Sequence, residues 1–449
     1  MEWMFGIKDP LASEGQSGFD VIIGNPPYGI NFTETEKRYL KSKFDYLVQR
    51  IPNSFLYFNG IAYEFMKNKA VFSYIIPNEF LFQIYMEKAR KFFLLECEFN
   101  LAINLGDEVF DAIVPSCVTL IKKVKQSNYK IKLKDLRNIE FNNISSELNS
   151  NKFSSVDFGI ILESPSTIFS FDMIKNKLIN KLISKNKSFE SYCDDIANGI
   201  STSCDSVYIV NSQTIKEYDI ESIYLKPTIR GNQFNKFYCP ENTGDYVLYI
   251  NSKFDKNLAP NTYNYLEKNR DLLTNKSVEK KNGLRDWYLL FRARDENLFL
   301  SPKIIIRQTG DSIISALDEN ISYYTINSVH NAQIKSDYIL YTKLFLAFLN
   351  SKLLKFVYQE ISQESGRVMA EVKPQRIKQM PIAECNENIK IKIDKLVNQI
   401  IEKKKVGEDT QELEDKIDFM VYKLYDLNYE EVKIVDPEFN LSEEEYKNN

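Results

Sequence analysis

The residues best suited to chemistry in this 449-residue sequence are Asn25, Pro26, Pro27 and Tyr28, which follow one another directly. Two consecutive prolines fix φ and exclude a helix, so we expect a rigid loop that holds two acceptors in place, the Asn25 side chain and the Pro26 carbonyl. An exocyclic amine of a nucleic-acid base has two hydrogens to donate, and two fixed acceptors would increase the electron density on its nitrogen as it attacks an electrophilic methyl group. Tyr28 would offer a flat face to a base rotated out of a duplex. The alternative interpretation is a Pro-Pro turn that only ends a strand.

The segment before this loop predicts a buried strand over Phe19–Gly24. Val21 to Ile23 form a continuous apolar run, as in a parallel sheet covered on both faces, and Gly24 ends it. The loop would then lie outside the carboxyl edge of the sheet, where open α/β sheets bind their ligands.

From Phe19 to about Lys123 the pattern alternates between strands and helices, which predicts half of a doubly wound α/β sheet. The predicted strands are Phe19–Gly24, Val71–Ile76, Leu101–Leu105 and Cys117–Ile121, and the predicted helices are Ser54–Lys69 and Glu79–Leu95.

Three further regions follow the first domain, which we place at residues 1–141. An Asn- and Ser-rich stretch within 142–165 predicts a linker. Residues 166–384 predict an α+β domain with short strands at Tyr246–Ile250, Trp287–Phe291 and Lys303–Arg307. Residues 385–449 have helical periodicity and predict an amphipathic hairpin joined near Gly407, with an acidic tail.

The charge is distributed unevenly along the chain, whose formal net charge is -4. Residues 406–449 carry 14 acidic and 4 basic side chains, whereas residues 226–307 carry 15 basic and 9 acidic ones. The basic segment is where we expect a phosphate backbone to bind, the alternative being an ordinary solvated surface.

The cysteine and histidine content narrows the range of functions. Six scattered cysteines without a C-x-x-C pair indicate reduced thiols, and we expect no metal and a cytoplasmic location. His330 is the only histidine, which argues against histidine-dependent nucleases and catalytic triads. No apolar run is long enough for a membrane span, so we expect no membrane association.

Asn25–Tyr28 and the segments after it resemble the Eco57I/TaqI-like DNA adenine amino-methyltransferases, with the gamma-type motif order. Asn-Pro-Pro-Tyr is similar to their motif IV, and later catalytic-domain motifs are matched by Ile75–Leu81, Arg90, Leu105–Phe110 and Val114–Thr119. The resemblance implies that Phe110 packs against the flipped adenine opposite Tyr28. The alternative is that Phe110 belongs to the core.

The second domain is similar to the target-recognition domain of the same family over roughly residues 185–385. The matching segments keep their order along the chain: Ile196–Cys204, Leu225–Phe237, Arg285–Trp287, Ser301–Ile305, Phe348–Ser351 and Gln379–Ile382. The resemblance implies double-stranded DNA as a partner. Our candidates for DNA contacts are Lys226, Arg230, Arg285, Arg307, Arg367, Lys373 and Arg376, the alternative for each being a solvated surface charge.

One departure from the family concerns the cofactor that the resemblance implies, S-adenosylmethionine. In the family a strand, a glycine-rich F-x-G-x-G turn and an acidic residue precede Asn-Pro-Pro-Tyr and hold the cofactor, but only 24 residues precede Asn25 here. Gly15 and Gly18 follow no strand-like segment. We therefore expect an incomplete cofactor pocket, unknown cofactor-binding residues, and Phe19–Gly24 as an exposed apolar edge.

Two functions remain open. The first is the catalytic-loop and recognition part of a split DNA adenine methyltransferase, completed by a subunit that binds S-adenosylmethionine, in a restriction-modification or phage-defence system. The second is a non-catalytic DNA-binding or specificity protein derived from such an enzyme.

Overall fold

The computed structural model describes residues 18–49, 53–106, 109–110, 114–137, 139–150, 152–320, 322–363 and 370–448. The chain divides into two compact units: Met1–Asn180 with Ile361–Gln363 form the first, and Lys181–Glu360 with Glu364–Asn449 form the second. No helix in the described ranges is long and apolar enough to cross a membrane.

The first unit alternates strands and helices along the chain. Its elements are β1 (Phe19–Gly24), α1 (Glu34–Lys43), α2 (Ser54–Phe65), β2 (Met66–Pro77), α3 (Glu79–Phe82), α4 (Glu87–Glu96), β3 (Glu98–Gly106), β4 (Ser116–Lys122), β5 (Lys130–Asp135), α5 (Phe141–Asn149), β6 (Ser154–Asp157), α6 (Phe158–Leu162) and α7 (Met173–Lys185), which contains the boundary between the units.

These strands form one six-stranded sheet in the order β1-β2-β4-β3-β5-β6. β1 is parallel to β2, β3 is parallel to β5, and β4 runs antiparallel between β2 and β3. β1, β2, β3 and β5 therefore point the same way and end at one edge of the sheet. The predicted α/β class is confirmed, and all four predicted strands are present. β1 has the predicted bounds, whereas β2, β3 and β4 extend beyond theirs.

Three predicted elements of this unit differ from the structure. The helix predicted at Glu79–Leu95 is divided into α3 and α4, because the backbone of Gln83 between them is extended. The helix that begins at Ser54 ends at Phe65 rather than Lys69, because the following residues join the sheet: Met66 pairs with Phe19, and the Lys69 amide donates to the Lys123 carbonyl. The predicted linker 142–165 instead contains most of α5, and β6 and α6, and β6 extends the sheet by pairing with β5. Asn and Ser are common in linkers, but here the alternating Ser154–Asp157 segment finds a strand partner.

The core of the first unit lies between the sheet and helices α2 and α4. Phe55 and Leu56 of α2 and Phe93 of α4 are buried, and the ring of Phe93 lies 5.7 Å from that of Phe72 on β2. This packing fixes the start of α2 relative to the carboxyl edge of the sheet.

The second unit contains small antiparallel sheets and many helices, as the α+β prediction requires. Its elements are β7 (Lys187–Ser188), β8 (Cys193–Asn198), α8 (Asp205–Tyr208), β9 (Ile209–Asn211), α9 (Ser212–Glu217), β10 (Leu225–Pro227), β11 (Asp245–Leu248), α10 (Pro260–Lys268), α11 (Arg270–Asn275), α12 (Val278–Lys281), α13 (Asn297–Leu300), β12 (Lys303–Arg307), β13 (Ser315–Asp318), β14 (Val329–Ile334), α14 (Thr342–Asn350), α15 (Lys352–Ser362), α16 (Pro374–Lys378), β15 (Pro381–Ile382), α17 (Glu387–Lys405), α18 (Gln411–Leu424), α19 (Tyr429–Val435) and α20 (Glu443–Asn448).

The central sheet of this unit has the order β13-β12-β14-β8, and β12 matches the predicted strand Lys303–Arg307. The strand predicted at Trp287–Phe291 is wrong. The backbone carbonyls of Tyr288 and Leu289 accept from the Tyr208 hydroxyl instead of from a neighbouring strand.

The C-terminal hairpin is present as α17 and α18, with Gly407 between them at a φ of 77°, a left-handed conformation that favours glycine. The acidic tail after it forms the helices α19 and α20, with Val432 and Tyr446 buried.

Candidate functional site

The Asn-Pro-Pro-Tyr loop begins where β1 ends, at the carboxyl edge of the sheet. Asn25 to Tyr28 have no regular secondary structure; Asn25 and Pro27 are exposed, Pro26 is buried and Tyr28 is half-buried. Gly29 ends the loop at a φ of 79°, and a β-carbon there would meet no atom within 4 Å. The loop thus presents an amide side chain and a phenol ring at the carboxyl edge of the sheet, where the sequence predicts the reactive site.

Ser54, the first residue of α2, holds this loop from the other side. Its hydroxyl donates to the Pro27 carbonyl at 2.7 Å, and Ser54 is 1% exposed. No local pattern indicates this contact, because the two residues are separated by 27 positions.

More polar side chains lie where β2 and β3 end. Asn78 follows β2 and donates through Nδ2 to Asn104 Oδ1 on β3 at 3.0 Å, and both residues are buried. Glu79 accepts from Asn53 Nδ2 at 3.0 Å and from the Tyr85 hydroxyl at 2.7 Å. Asn104 Nδ2 is buried and has no hydrogen-bond partner in the described part of the chain. Asn78 and Glu79 belong to Ile75–Leu81, a segment that resembles the family's catalytic domain, but no role was predicted for them from the sequence.

Phe110, the second residue proposed to stack on a base, is half-buried. Among the residues that the structure describes, neither Phe110 nor Tyr28 is in ring contact with another aromatic side chain. The structure therefore leaves both rings unstacked and does not join them into one platform. The sandwich around a base remains a prediction.

β1 is the edge strand of the sheet, and its apolar side chains are not covered by the described residues. Phe19, Val21 and Ile23 alternate along the strand and therefore point to one face. They are 39%, 57% and 79% exposed. The strand was predicted as an exposed apolar edge, and this face and the free edge of its backbone agree with that prediction.

Two of the candidate DNA-binding residues lie close together in the second unit, around the short segment that follows β10. The Arg307 Nε donates to the Gly231 carbonyl at 2.6 Å, and its Nη2 donates to the Phe234 carbonyl. Arg230 lies 3.7 Å from Asp245 through Nη2, and its side chain is 41% exposed. Two guanidinium nitrogens of Arg307 thus bind backbone carbonyls of this segment, whereas Arg230 has a long ion pair with Asp245 and a partly exposed side chain.

Two others are partly engaged elsewhere in the same unit. Arg285 Nη2 donates to the Leu290 carbonyl at 2.6 Å, and Lys226 lies 4.0 Å from Glu296. The positions near α16 differ in exposure: Lys373 is half-buried, whereas Arg376 is 2% exposed and donates to Gln379. Arg367 lies outside the described residues.

A buried lysine that was not predicted as a site residue lies within the electrostatic influence of Arg285. Lys280 Nζ donates to the Tyr208 hydroxyl at 3.2 Å, and Lys280 is 3% exposed. Burial, together with the positive charge of Arg285, lowers the pKa of Lys280 to about 8. Its role is to join α12 to Tyr208 inside the unit.

Two family models match the chain, one in each unit. The Eco57I restriction-modification methylase model matches residues 2–110, and the TaqI-like C-terminal specificity domain model matches residues 226–382. The first includes Asn25–Tyr28 and Phe110, and the second includes every candidate DNA-binding residue.

Similar proteins agree with these matches. A putative type II restriction enzyme and methyltransferase of Methanocaldococcus jannaschii is 25% identical over 352 residues, covering 76% of this chain and 25% of that protein. The type II restriction enzyme and methyltransferase RM.Eco57I of Escherichia coli is 23% identical over 408 residues, covering 78% of this chain and 39% of that protein. This chain therefore spans less than half the length of either relative.

A solved structure supports the fold. The Type IIL restriction-modification enzyme MmeI in complex with DNA matches with a TM-score of 0.59 and 12% identity, over 92% of this chain and 56% of that one. From the two domain models and their order, we conclude that the chain carries an Eco57I restriction-modification methylase domain followed by a TaqI-like C-terminal specificity domain, and that it is similar to proteins named type II restriction enzymes and methyltransferases.

Proposed function

We propose that this chain is the catalytic-loop and DNA-recognition part of a site-specific DNA methyltransferase that modifies the exocyclic amine of a flipped adenine. The observation that carries the proposal is the Asn25–Tyr28 loop, which presents an exposed amide and an unstacked phenol ring at the carboxyl edge of the sheet. A specificity domain in the same chain would bring that loop to a defined DNA sequence.

In this proposal Asn25 and the Pro26 carbonyl act on the amine. The Asn25 side-chain oxygen accepts one amine hydrogen and the Pro26 carbonyl accepts the other, so both stabilise positive charge as the nitrogen forms its new bond. The amine is neutral before it attacks and loses a proton afterwards. A strong general base is therefore unnecessary.

Tyr28 holds the base in the proposed reaction. A base removed from the duplex loses its stacking, and a half-exposed aromatic ring replaces part of that interaction. Phe110 is proposed to supply the opposite face. Stacking depends on the ring rather than on the hydroxyl of Tyr28, so phenylalanine should serve in its place.

The described residues form the amine side of the reaction but not a cradle for S-adenosylmethionine, which supplies an electrophilic methyl group when bound. β1 has no strand on its outer side in the described part of the chain, and no glycine-rich turn lies beside Asn25 there. We therefore derive no cofactor-binding residues from this chain.

The exposed face of β1 supports a second part to the proposal. Val21 and Ile23 form an apolar surface next to an unpaired strand edge, which natural proteins usually cover. We propose that the polypeptide that binds S-adenosylmethionine packs there, either as a separate subunit or as further residues of a longer protein.

The proposal is tested by expressing the chain with its neighbouring reading frames in a host that lacks DNA adenine methylation. N6-methyladenine in the host DNA is measured by mass spectrometry, and its sequence context is read by single-molecule sequencing. We expect methylation at one sequence, with a loss on the order of a hundredfold or more for Asn25→Ala. The control is Asn264→Ala, which removes an exposed asparagine on α10.

Two results would contradict the proposal. Full methylation by Asn25→Ala would remove the loop from the mechanism. Sequence-specific DNA binding without any methylation would favour the non-catalytic specificity protein.

A further inference from the structure

We propose that Ser54 is a positioning residue, which fixes the Asn25–Tyr28 loop in its reactive geometry by its hydrogen bond to Pro27. The Ser54 hydroxyl lies 2.7 Å from the Pro27 carbonyl oxygen, and the serine is 1% exposed. The inference rests on the proposed function, since it concerns the same loop.

The loop needs an external anchor because of its own composition. Pro26 and Pro27 have no N–H, so half of the loop cannot donate backbone hydrogen bonds to its surroundings. Each proline fixes φ but leaves ψ free to vary. The ψ of Pro27 sets the direction in which Tyr28 leaves the loop, and a hydrogen bond to the Pro27 carbonyl restrains that torsion.

Ser54 supplies the one side-chain hydrogen bond that reaches Asn25–Tyr28 among the residues described. On the other side of the loop, Gly29 adopts a positive φ and has open space around it, so that end offers little restraint. The Ser54 contact is therefore the principal polar restraint on the orientation of Tyr28.

α2 is a firm base for this contact. Ser54 begins a 12-residue helix, and the three residues after it, Phe55, Leu56 and Tyr57, are buried. A hydroxyl at the first position of a helix packed in this way cannot follow a moving loop. It holds the loop to the core of the unit.

The inference predicts a defect in turnover rather than in DNA binding. Ser54→Ala removes the donor and lets the Pro27 carbonyl, and with it Tyr28 and Asn25, leave the reactive geometry. Misplacement of reacting groups by about 1 Å costs on the order of a hundredfold in rate, so we expect kcat to fall about tenfold to a hundredfold. The KM for DNA should change by less than about twofold, because the specificity domain keeps its contacts.

The experiment uses the complete enzyme, in which this chain is combined with the polypeptide that binds S-adenosylmethionine, and a duplex that contains the methylated sequence. Initial rates give kcat and KM, and 2-aminopurine at the target position reports base flipping. Ser54→Thr keeps the hydroxyl and should keep most of the wild-type rate. Valine has the shape of threonine but no hydroxyl, so Ser54→Val should lose rate as Ser54→Ala does. This pair provides the test if Ser54→Ala does not fold.

The matched control is Asn53→Ala at the same helix end. Asn53 donates a hydrogen bond of 3.0 Å to Glu79 and none to the loop. The control should keep kcat within about twofold, and thermal unfolding should show that all variants fold.

The outcomes separate this inference from the function on which it rests. A wild-type kcat for Ser54→Ala or Ser54→Val, with Asn25→Ala inactive, would overturn the role of Ser54 alone. Equal losses for Ser54→Ala and Asn53→Ala would also overturn it, since the effect would then belong to the helix end. An active Asn25→Ala would overturn the proposed function itself.

Discussion

His330, the only histidine of the chain, should make the second unit less stable as the pH falls from about 6.5 to about 4. It lies on β14, is 1% exposed, and its Nε2 lies 2.6 Å from the Val372 carbonyl oxygen. A carbonyl only accepts, so Nε2 carries the proton and donates. Nδ1 is buried without a partner in the described residues, and protonation would place an unpaired N–H there.

The size of the effect follows from the pKa of His330, which burial lowers from 6.5 to about 4. The unfolded chain binds this proton below pH 6.5, whereas the folded chain does not bind it until about pH 4. Acid therefore favours the unfolded state across this window. Each tenfold difference in proton affinity is worth about 1.4 kcal/mol, so the loss of unfolding free energy amounts to about 3 kcal/mol.

Asp418 changes the pH dependence of the unfolding free energy in the opposite direction, so this carboxyl group has to be removed by mutation before the effect of His330 is measured. Burial raises the pKa of this carboxyl from 3.8 to about 7, so the folded state binds its proton first, and its contribution to stability is lost as the pH rises through about 7. Asp418→Asn keeps the oxygen that accepts from the Lys352 amide. The effect of His330 is then read in this background.

The assay is urea unfolding at a series of pH values, for Asp418→Asn with His330 intact and with His330→Gln, which keeps a neutral donor. Between pH 6.5 and pH 4 the unfolding free energy should fall by about 3 kcal/mol more with His330 intact than with His330→Gln. Because the chain has a single histidine, an NMR titration of selectively labelled protein gives its pKa directly. A pKa near 6.5, or identical pH dependence in both proteins, would refute the reasoning.

Three other predictions concern function. Tyr28→Ala should weaken capture of the flipped base by about 1–3 kcal/mol, measured by 2-aminopurine fluorescence, while Tyr28→Phe keeps most activity; an equal loss for the exposed Tyr39→Ala would contradict a specific role. DNA affinity should fall steeply with salt, and Arg230→Ala should reduce the slope of log affinity against log salt concentration by about one. The control Glu443→Gln, an exposed position on α20, should leave this slope unchanged. A salt-independent affinity would be inconsistent with the basic segment 226–307 as the DNA surface. Ile23→Asp should leave thermal unfolding of the chain unchanged. It should weaken association with the cofactor-binding polypeptide by about 2 kcal/mol, roughly 30-fold in Kd. An equal effect of Val278→Asp, at a residue on α12 that is 75% exposed, would argue against β1 as the contact.

The sequence predicted the parts of the fold that depend on local patterns. The continuous apolar run before Gly24 and the helical spacing of Ile393, Val397 and Ile400 are local signals, and β1 and α17 formed where they indicated. Composition was a poorer guide. The Asn- and Ser-rich region 142–165 predicted a linker, but it contains most of α5 and the strand β6, which pairs with β5.

The candidate site was predictable only where its residues are adjacent in the sequence. Asn25–Tyr28 form a continuous motif, whereas Ser54 reaches Pro27 through the packing of α2, which no local pattern encodes. The arginines show the same limit. Arg307 and Arg376 have the charge expected for DNA contacts, but backbone carbonyls around Gly231 and the amide of Gln379 already bind part of their guanidinium groups.

The two prolines of the loop also limit how another strand can add to the outer side of β1. Pairing needs backbone N–H donors, and Pro26 and Pro27 have none, so the ladder is interrupted directly after Asn25. A parallel strand added there would therefore end level with Asn25, and the turn after it would begin beside the proposed reactive amide. Because Pro26 and Pro27 fix where pairing with β1 ends, they also fix the distance between the group that this turn binds and the amine on which Asn25 is proposed to act.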